Sequence, residues 1–172
     1  RGDLLSRPLA DRTVSGHLLR LHCSKLLPVG PSQLPTGELR LIPRGGDWDW
    51  AAFRSLAAAC QLRDPALPSG FPAGMDHCLV ADGQDSQALR LVAELYDPVS
   101  GRMLTLHSTQ PGLQVYTGNF LGFSEDFPRW SAVCLEAQGF PDAINQPGFP
   151  SCVLRPGEVY QQEIVHTFTV RL

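Results

Sequence analysis

Glycine and proline interrupt this chain so often that most of it can form only short elements of regular structure. The 172 residues include 16 glycines and 15 prolines, and many of the segments between them alternate apolar with polar residues. A period of two is typical of half-buried strands, whereas an amphipathic helix repeats every 3.6 residues. Residues 17–23 show the period of two, with Leu19, Leu21 and Cys23 on one face. The sequence therefore predicts an all-β protein.

The clearest local prediction is a β-hairpin. Two alternating runs, 89–96 and 102–107, flank the turn-forming sequence DPVSG, whose proline, aspartate and glycine suit a tight reversal. Further strands are predicted at 38–42, 76–81, 113–117, 132–137 and 163–172. One segment, 47–62, instead has apolar residues at helical spacing behind an aspartate that can cap a helix. We predict one short helix there.

Length and charge exclude several classes of protein. The net charge of −3 offers no basic surface to a phosphate backbone, so we expect no nucleic-acid partner. No stretch approaches the ~20 apolar residues of a membrane-spanning helix, and the first residues lack the apolar core of a signal peptide. A chain of this length is typical of one domain. We predict a single domain over 1–172 and no association with a membrane.

The cysteines indicate a reducing compartment. Their number is odd, they are widely scattered, and none forms a CxxC pair, which is typical of neither a disulfide framework nor a zinc site. We expect reduced, buried thiols in a cytoplasmic protein. The alternative, a secreted disulfide-bonded lectin, would require an even framework. The five are Cys23, Cys60, Cys78, Cys134 and Cys152.

A few polar residues in apolar strands are candidates for chemistry. Glu136 lies inside AVCLEA, where desolvation could tune a carboxylate as a general base, although an outward-facing strand residue is the commoner explanation. Asp76 precedes an apolar run and is either functional or a turn residue. Gln114 and Tyr116 share one strand face and could hydrogen-bond a polyol. The sequence contains no GxGxxG, GxxxxGK[ST], HExxH or GxSxG motif.

Several longer motifs resemble one enzyme family. The segments TQPGLQVYTGNFL at 109–121, CLEAQGFPDAINQPGFP at 134–150 and LRPGEVY at 154–160 are similar to the C-terminal half of aldose 1-epimerase, or galactose mutarotase. Upstream, GMDHCLV at 74–80 and LLPVGPSQLPTGEL at 26–39 resemble further family segments in the same order. The resemblance covers the chain from about His17 to its end, and residues 1–16 match no motif.

The resemblance implies a galactose mutarotase-like β-supersandwich, with large antiparallel sheets and a sugar cleft on one of them. It implies interconversion of the α and β anomers of aldohexoses such as galactose and glucose by acid/base ring opening and closure. By motif, Glu136 corresponds to the family's general base, and Asp76 and Gln114 correspond to groups that hydrogen-bond the sugar. The implied partner is a small aldose, a monomer is favoured, and no metal or organic cofactor is implied.

The chain also departs from the family pattern. The family's general-acid histidine lies in an Asn-His-Ser-Tyr-Phe-Asn segment before the strand that resembles HLLRLHC, and no such segment occurs here. We therefore expect a domain that is incomplete at its N-terminus and inactive alone. The alternative is a noncatalytic carbohydrate-binding or regulatory protein. The histidines present are expected to be strand or surface residues: His17, His22, His77, His107 and His166.

The loop after the predicted strand 113–117 and the segment after Glu136 also bear on the site. Trp130 stands where a histidine is common in the family, and we expect it to pack rather than to stack on a sugar. Asp142 and Asn145 are expected to shape the turn that follows Glu136.

Overall fold

Two antiparallel β-sheets form the framework of the computed structural model, which describes residues 13–83 and 88–171. Ten strands and one α-helix occur in that part of the chain. They are β1 (Leu18–Leu21), β2 (Cys23–Leu26), β3 (Arg40–Leu41), β4 (Arg54–Ser55), α1 (Leu56–Gln61), β5 (Asp76–Ala81), β6 (Arg90–Tyr96), β7 (Arg102–Ser108), β8 (Gly112–Tyr116), β9 (Cys134–Gln138) and β10 (Ile164–Val170). Sheet 1 has the order β10-β7-β6-β1-β4, and sheet 2 the order β3-β2-β5-β8-β9.

The predicted hairpin is present as β6 and β7, which pair antiparallel from Arg90 with Ser108 to Tyr96 with Met103. The turn between them is closed by Asp97, whose carboxylate accepts hydrogen bonds from Val99 N at 3.1 Å and from Ser100 Oγ at 2.6 Å. The strands predicted at 38–42, 76–81, 113–117, 132–137 and 163–172 are β3, β5, β8, β9 and β10, with ends that differ by a few residues.

The segment 17–23 is not one strand, as its alternation predicted, but parts of two. β1 belongs to sheet 1 and β2 to sheet 2, and His22 lies between them. His22 N donates to Val92 O of sheet 1 at 2.9 Å, and Asp82 N donates to His22 O at 2.9 Å. The alternation continues through this crossing because both halves are extended, so periodicity alone does not reveal the change of sheet.

The helix is shorter than predicted. It covers only Leu56–Gln61, and its N-cap is Ser55, whose Oγ accepts from Ala57 N at 3.1 Å. The residues ahead of it are held in other contacts: Trp50 is buried, and its carbonyl accepts a hydrogen bond from Leu21 N at 2.8 Å. Pairing with β1 therefore takes precedence over the helical spacing of the apolar residues.

The core lies between the two sheets and is closed on one side by α1. Its fully buried members come from both sheets and include Leu19, Leu21, Leu56, Leu79, Leu106, Leu113 and Val115. The prediction of buried thiols is correct for Cys23, Cys60 and Cys78 but wrong for Cys134 and Cys152, which are exposed, and all five are unpaired. No helix in the described part of the chain is long and apolar enough to cross a bilayer.

Candidate functional site

Three neighbouring strands of sheet 2 carry polar side chains on the face that points away from the core. The register places Cys78, Gln114 and Glu136 in one row across β5, β8 and β9, and Asp76, Tyr116 and Cys134 in the next row. The alternate residues of β8, Leu113 and Val115, are fully buried on the other face. Because side chains alternate along a strand, burying these two residues turns Gln114 and Tyr116 outward.

The predicted site residues lie together within these rows. Gln114 Nε2 donates a hydrogen bond of 2.8 Å to Asp76 Oδ1, and Glu136 is the cross-strand neighbour of Gln114. Asp76 and Gln114 are half-buried, whereas Glu136, on the edge strand β9, is exposed. The arrangement offers two carboxylates and one amide to a molecule lying on the sheet.

A cavity of about 370 Å³ opens over this face. Its floor comes from β5, β8 and β9, and its rim from the loops that follow β2, β8 and β9. It is lined by Leu27, Val29, Gln33, Pro35, Asp76, Cys78, Gln114, Tyr116, Phe120, Glu136, Gln138 and Pro141. A concave site with a few convergent polar groups is typical of small-ligand binding.

The thiols at this face are disfavoured as nucleophiles. Burial raises the pKa of Cys78 to about 12, so its thiol stays protonated. The pKa of Cys134 is also raised, first by partial burial and then by the negative charges of Glu136 and Asp76. The chemistry of the cavity therefore rests on its carboxylates and amides.

His77 lies on the opposite face of β5 from Asp76, as the alternation predicts. It is buried, its Nε2 is 2.9 Å from Asp64 Oδ2, and its ring meets that of Trp48 edge-on at 4.5 Å. No histidine of the described residues lines the cavity. The structure therefore brings Glu136, Asp76 and Gln114 together without a histidine.

The remaining predicted positions shape the surroundings of the cavity. Trp130 packs against the core, and its Nε1 donates to Ala73 O at 3.2 Å, which agrees with a packing role. Asp142 accepts from Asn145 Nδ2 at 2.5 Å and from Gln146 Nε2 at 3.1 Å, so the turn after β9 is held by side chains.

Sequence reasoning missed several of the lining residues. Gln138 follows the alternation of Glu136 along β9, which was a usable signal. Phe120 and Gln33 come from loops, and no periodic pattern predicts where loop side chains lie. No cluster of three His, Cys, Asp or Glu side chains that could hold a metal occurs among residues 13–83 and 88–171.

Comparison with known proteins decides the family. The family model for aldose 1-epimerase matches residues 5–167. The chain belongs to the aldose 1-epimerase family. The family match starts at residue 5, upstream of the point near His17 where the motif resemblance began. Residues 5–16 are therefore part of the family match, which corrects the expectation that 1–16 are unmatched.

The relatives share the sequence over a limited part of their length. The galactose mutarotase of Homo sapiens is 34% identical over 167 residues, which is 94% of this chain and 46% of that protein. The aldose 1-epimerase of Escherichia coli is 27% identical over 162 residues, or 90% of this chain and 45% of that protein. This aldose 1-epimerase-family chain spans about half the length of these relatives and corresponds to the C-terminal half of the family domain.

Solved structures of aldose 1-epimerase-like proteins share the fold. An aldose epimerase homologue from C. elegans superposes with a TM-score of 0.75 at 23% identity, over 92% of this chain and 47% of that one. The galactose 1-epimerase of Lactobacillus acidophilus gives a TM-score of 0.70 at 18% identity, over 92% and 45%. The predicted galactose mutarotase-like all-β fold, with antiparallel sheets and one short helix, is confirmed.

Proposed function

We propose that this chain supplies the base and the sugar-binding face of an aldose 1-epimerase that interconverts the α and β anomers of galactose and glucose. The observation that carries the proposal is the convergence of Glu136, Asp76 and Gln114 on one open cavity of sheet 2. Family membership supports the reaction class, since the relatives include galactose mutarotases.

The reaction requires two proton transfers. A base removes the proton from the hydroxyl on C1 while an acid protonates the ring oxygen, and the bond between C1 and the ring oxygen breaks to give the open-chain aldehyde. Rotation about C1–C2 then exposes the other face of the aldehyde. Reclosure with the two protons returned gives the other anomer. Each positioned proton transfer contributes roughly 10²–10⁴-fold to the rate.

The proposal assigns these roles to the cavity. Glu136 is the base, because it corresponds by motif to the family's general base and is the exposed carboxylate on the polar face. Asp76 and Gln114 bind sugar hydroxyls. The hydrogen bond from Gln114 Nε2 to Asp76 Oδ1 orients the amide and leaves its oxygen, and the second carboxylate oxygen, for the ligand.

The family's acid is a histidine, and we propose that it comes from outside this cavity. Within the described residues the cavity is lined by no histidine, and the family's acid-bearing segment does not occur in the sequence. We propose that the 172-residue chain binds an aldose without turning it over, and that epimerisation needs a family segment that carries the acid.

A noncatalytic carbohydrate-binding protein is the second candidate. The absence of a histidine among the described lining residues favours it, because binding needs only hydrogen-bond partners. Sequencing the transcript upstream of Arg1 distinguishes the enzyme from the binding protein. An Asn-His-Ser-Tyr-Phe-like segment there would support the enzyme. For either function we propose a cytoplasmic location, which the five unpaired cysteines support.

Polarimetry of freshly dissolved α-D-galactose, together with an NMR titration of the sugar, tests the proposal. We expect the 172-residue chain to bind galactose and not to accelerate mutarotation. A chain extended through the upstream family segment should accelerate it, and Glu136→Gln in that chain should lower the rate by at least about 100-fold. The matched control is Glu163→Gln, an exposed glutamate outside the cavity.

Other outcomes would change the assignment. Acceleration by the 172-residue chain that Glu136→Gln abolishes would keep the base but show that the acid is internal. Equal effects of the two substitutions would exclude Glu136 as the base. If neither form of the chain binds or converts galactose, the proposed function is wrong.

A further inference from the structure

The loop after β2 forms a tight hairpin at the rim of the cavity. Val29 and Pro35 form an antiparallel bridge, Gly30 N donates to Leu34 O, and Gln33 N donates to Gly30 O, each bond measuring 2.9 Å. At the tip, Gln33 has a φ of 64°, a left-handed conformation that a residue with a side chain rarely adopts. Such conformations cluster at ligand sites, where the surrounding structure holds them.

The side chain of Gln33 lines the cavity and is exposed. Its backbone N–H is used within the hairpin, whereas its side-chain amide has no hydrogen-bond partner among the described residues. The loop thus presents a free donor and a free acceptor to whatever occupies the cavity.

Gln146 fastens this loop to the turn after β9. Its Nε2 donates to Pro35 O at 3.1 Å and to Asp142 Oδ2 at 3.1 Å. The Gln146 side chain packs closely against the loop, since a Cβ on Gly37 would lie 2.5 Å from Gln146 Oε1. Because Pro35 and Pro141 both line the cavity, the one amide of Gln146 sets the spacing of two walls of the rim.

Gln33 and Glu136 line the cavity from different strands of sheet 2, since Gln33 follows β2 and Glu136 lies on β9. The order β2-β5-β8-β9 separates the strand that leads into the Gln33 loop from the strand of Glu136 by three strand spacings, roughly 14 Å. In a pyranose ring, C4 lies across from C1. When a sugar has C1 at Glu136 and its ring lies along this direction, its C4 end faces Gln33. The configuration at C4 is the only difference between galactose and glucose.

We propose that Gln33 is a specificity-determining residue that hydrogen-bonds the C4 hydroxyl of the bound aldose, and that Gln146 is the positioning residue that holds the Gln33 loop in place. The inference rests on the proposed function, because it takes C1 to lie at Glu136. The added residue, Gln33, distinguishes between epimers and takes no part in the proton transfers.

Affinities of the 172-residue chain for galactose and for glucose, measured by NMR titration, test the contact. Gln33→Ala is expected to weaken binding of the preferred epimer about five-fold, the loss typical of one hydrogen bond, and to leave the other epimer nearly unchanged. The ratio of the two dissociation constants then moves towards one. The control is Gln162→Ala, an exposed glutamine outside the cavity.

Hydrogen exchange tests the positioning role without any sugar. Gln146→Ala should speed amide exchange in residues 28–37 while the exchange of β5 and β8 stays unchanged. Gln146→Ala should also bring the ratio of the two dissociation constants closer to one. Adding Gln33→Ala should then change that ratio no further, because both substitutions act on one contact. A merely structural glutamine would change stability without changing the ratio.

The possible failures are distinguishable. If neither the 172-residue chain nor the extended chain binds galactose or glucose, the proposed function fails and the C4 contact with it. If the chain binds and Gln33→Ala weakens the binding of both epimers equally, or of neither, Gln33 does not contact the C4 hydroxyl. The proposed function then stands. Unchanged exchange in residues 28–37 of Gln146→Ala would overturn the positioning role in either case.

Discussion

Asp76 and His77 are adjacent in the chain, yet the strand places them in opposite environments. Asp76 lines the open cavity, whereas His77 is buried against Asp64 and Trp48. Burial lowers the pKa of His77 below its usual 6.5, and this effect outweighs the opposing attraction of Asp64. The histidine beside the cavity is therefore part of the core and has no path to a sugar on the other face.

The lowered pKa of His77 predicts a pH-dependent stability. Below about pH 6.5 the unfolded chain binds a proton at this histidine and the folded chain resists it, so the free energy of unfolding falls as the pH falls. Urea unfolding between about pH 7.5 and 5.5 should show that slope, and His77→Gln should flatten it. His107→Gln is the control; equal slopes in both variants would contradict the prediction.

At the scale of elements, capping and pairing decide what periodicity leaves open. The helix begins where Ser55 caps it, after β4 has paired with β1. Ser55 is held twice, since its Oγ accepts from Ala57 N and donates to Ser15 O at 2.7 Å. One hydroxyl therefore joins the start of α1 to the segment before β1.

Removing that hydroxyl should destabilise the fold measurably. We expect Ser55→Ala to lower the free energy of unfolding by about 1 kcal/mol, because both the cap and the bond to Ser15 O are lost. Thermal and urea unfolding measure the change. Ser32→Ala, at an exposed loop serine, should have almost no effect, and similar losses for the two would show that the cap contributes little.

At the scale of the molecule, the two sheets do not cover each other completely. Ile164, Phe168 and Val170 lie on the same face of sheet 1 as buried Leu106, by the register of β10 on β7. Yet Phe168 is 77% exposed, while Leu106 is 0% exposed. Sheet 1 thus extends past the described part of sheet 2 and leaves apolar side chains in contact with water.

This contrast predicts very different costs for two substitutions on one sheet face. Leu106→Ala should lower the free energy of unfolding by about 2–5 kcal/mol, because it opens a cavity in the core. Phe168→Ala should change it by less than about 0.5 kcal/mol, because the ring is already exposed. Urea unfolding of the 172-residue chain measures both. A large loss for Phe168→Ala would mean that this face is covered in solution.

The sequence by itself determined the all-β class, the hairpin of β6 and β7, and the family. Alternation, turn residues and motif order are local properties that neighbours along the chain can encode. It also placed Gln114 and Tyr116 on one face, since that needs only the period of a strand. The tertiary structure alone decided that His22 marks a change of sheet, that β5, β8 and β9 adjoin, and that Gln33 meets the cavity. These depend on pairing between segments far apart in sequence, where packing free energy selects among arrangements that local patterns allow equally.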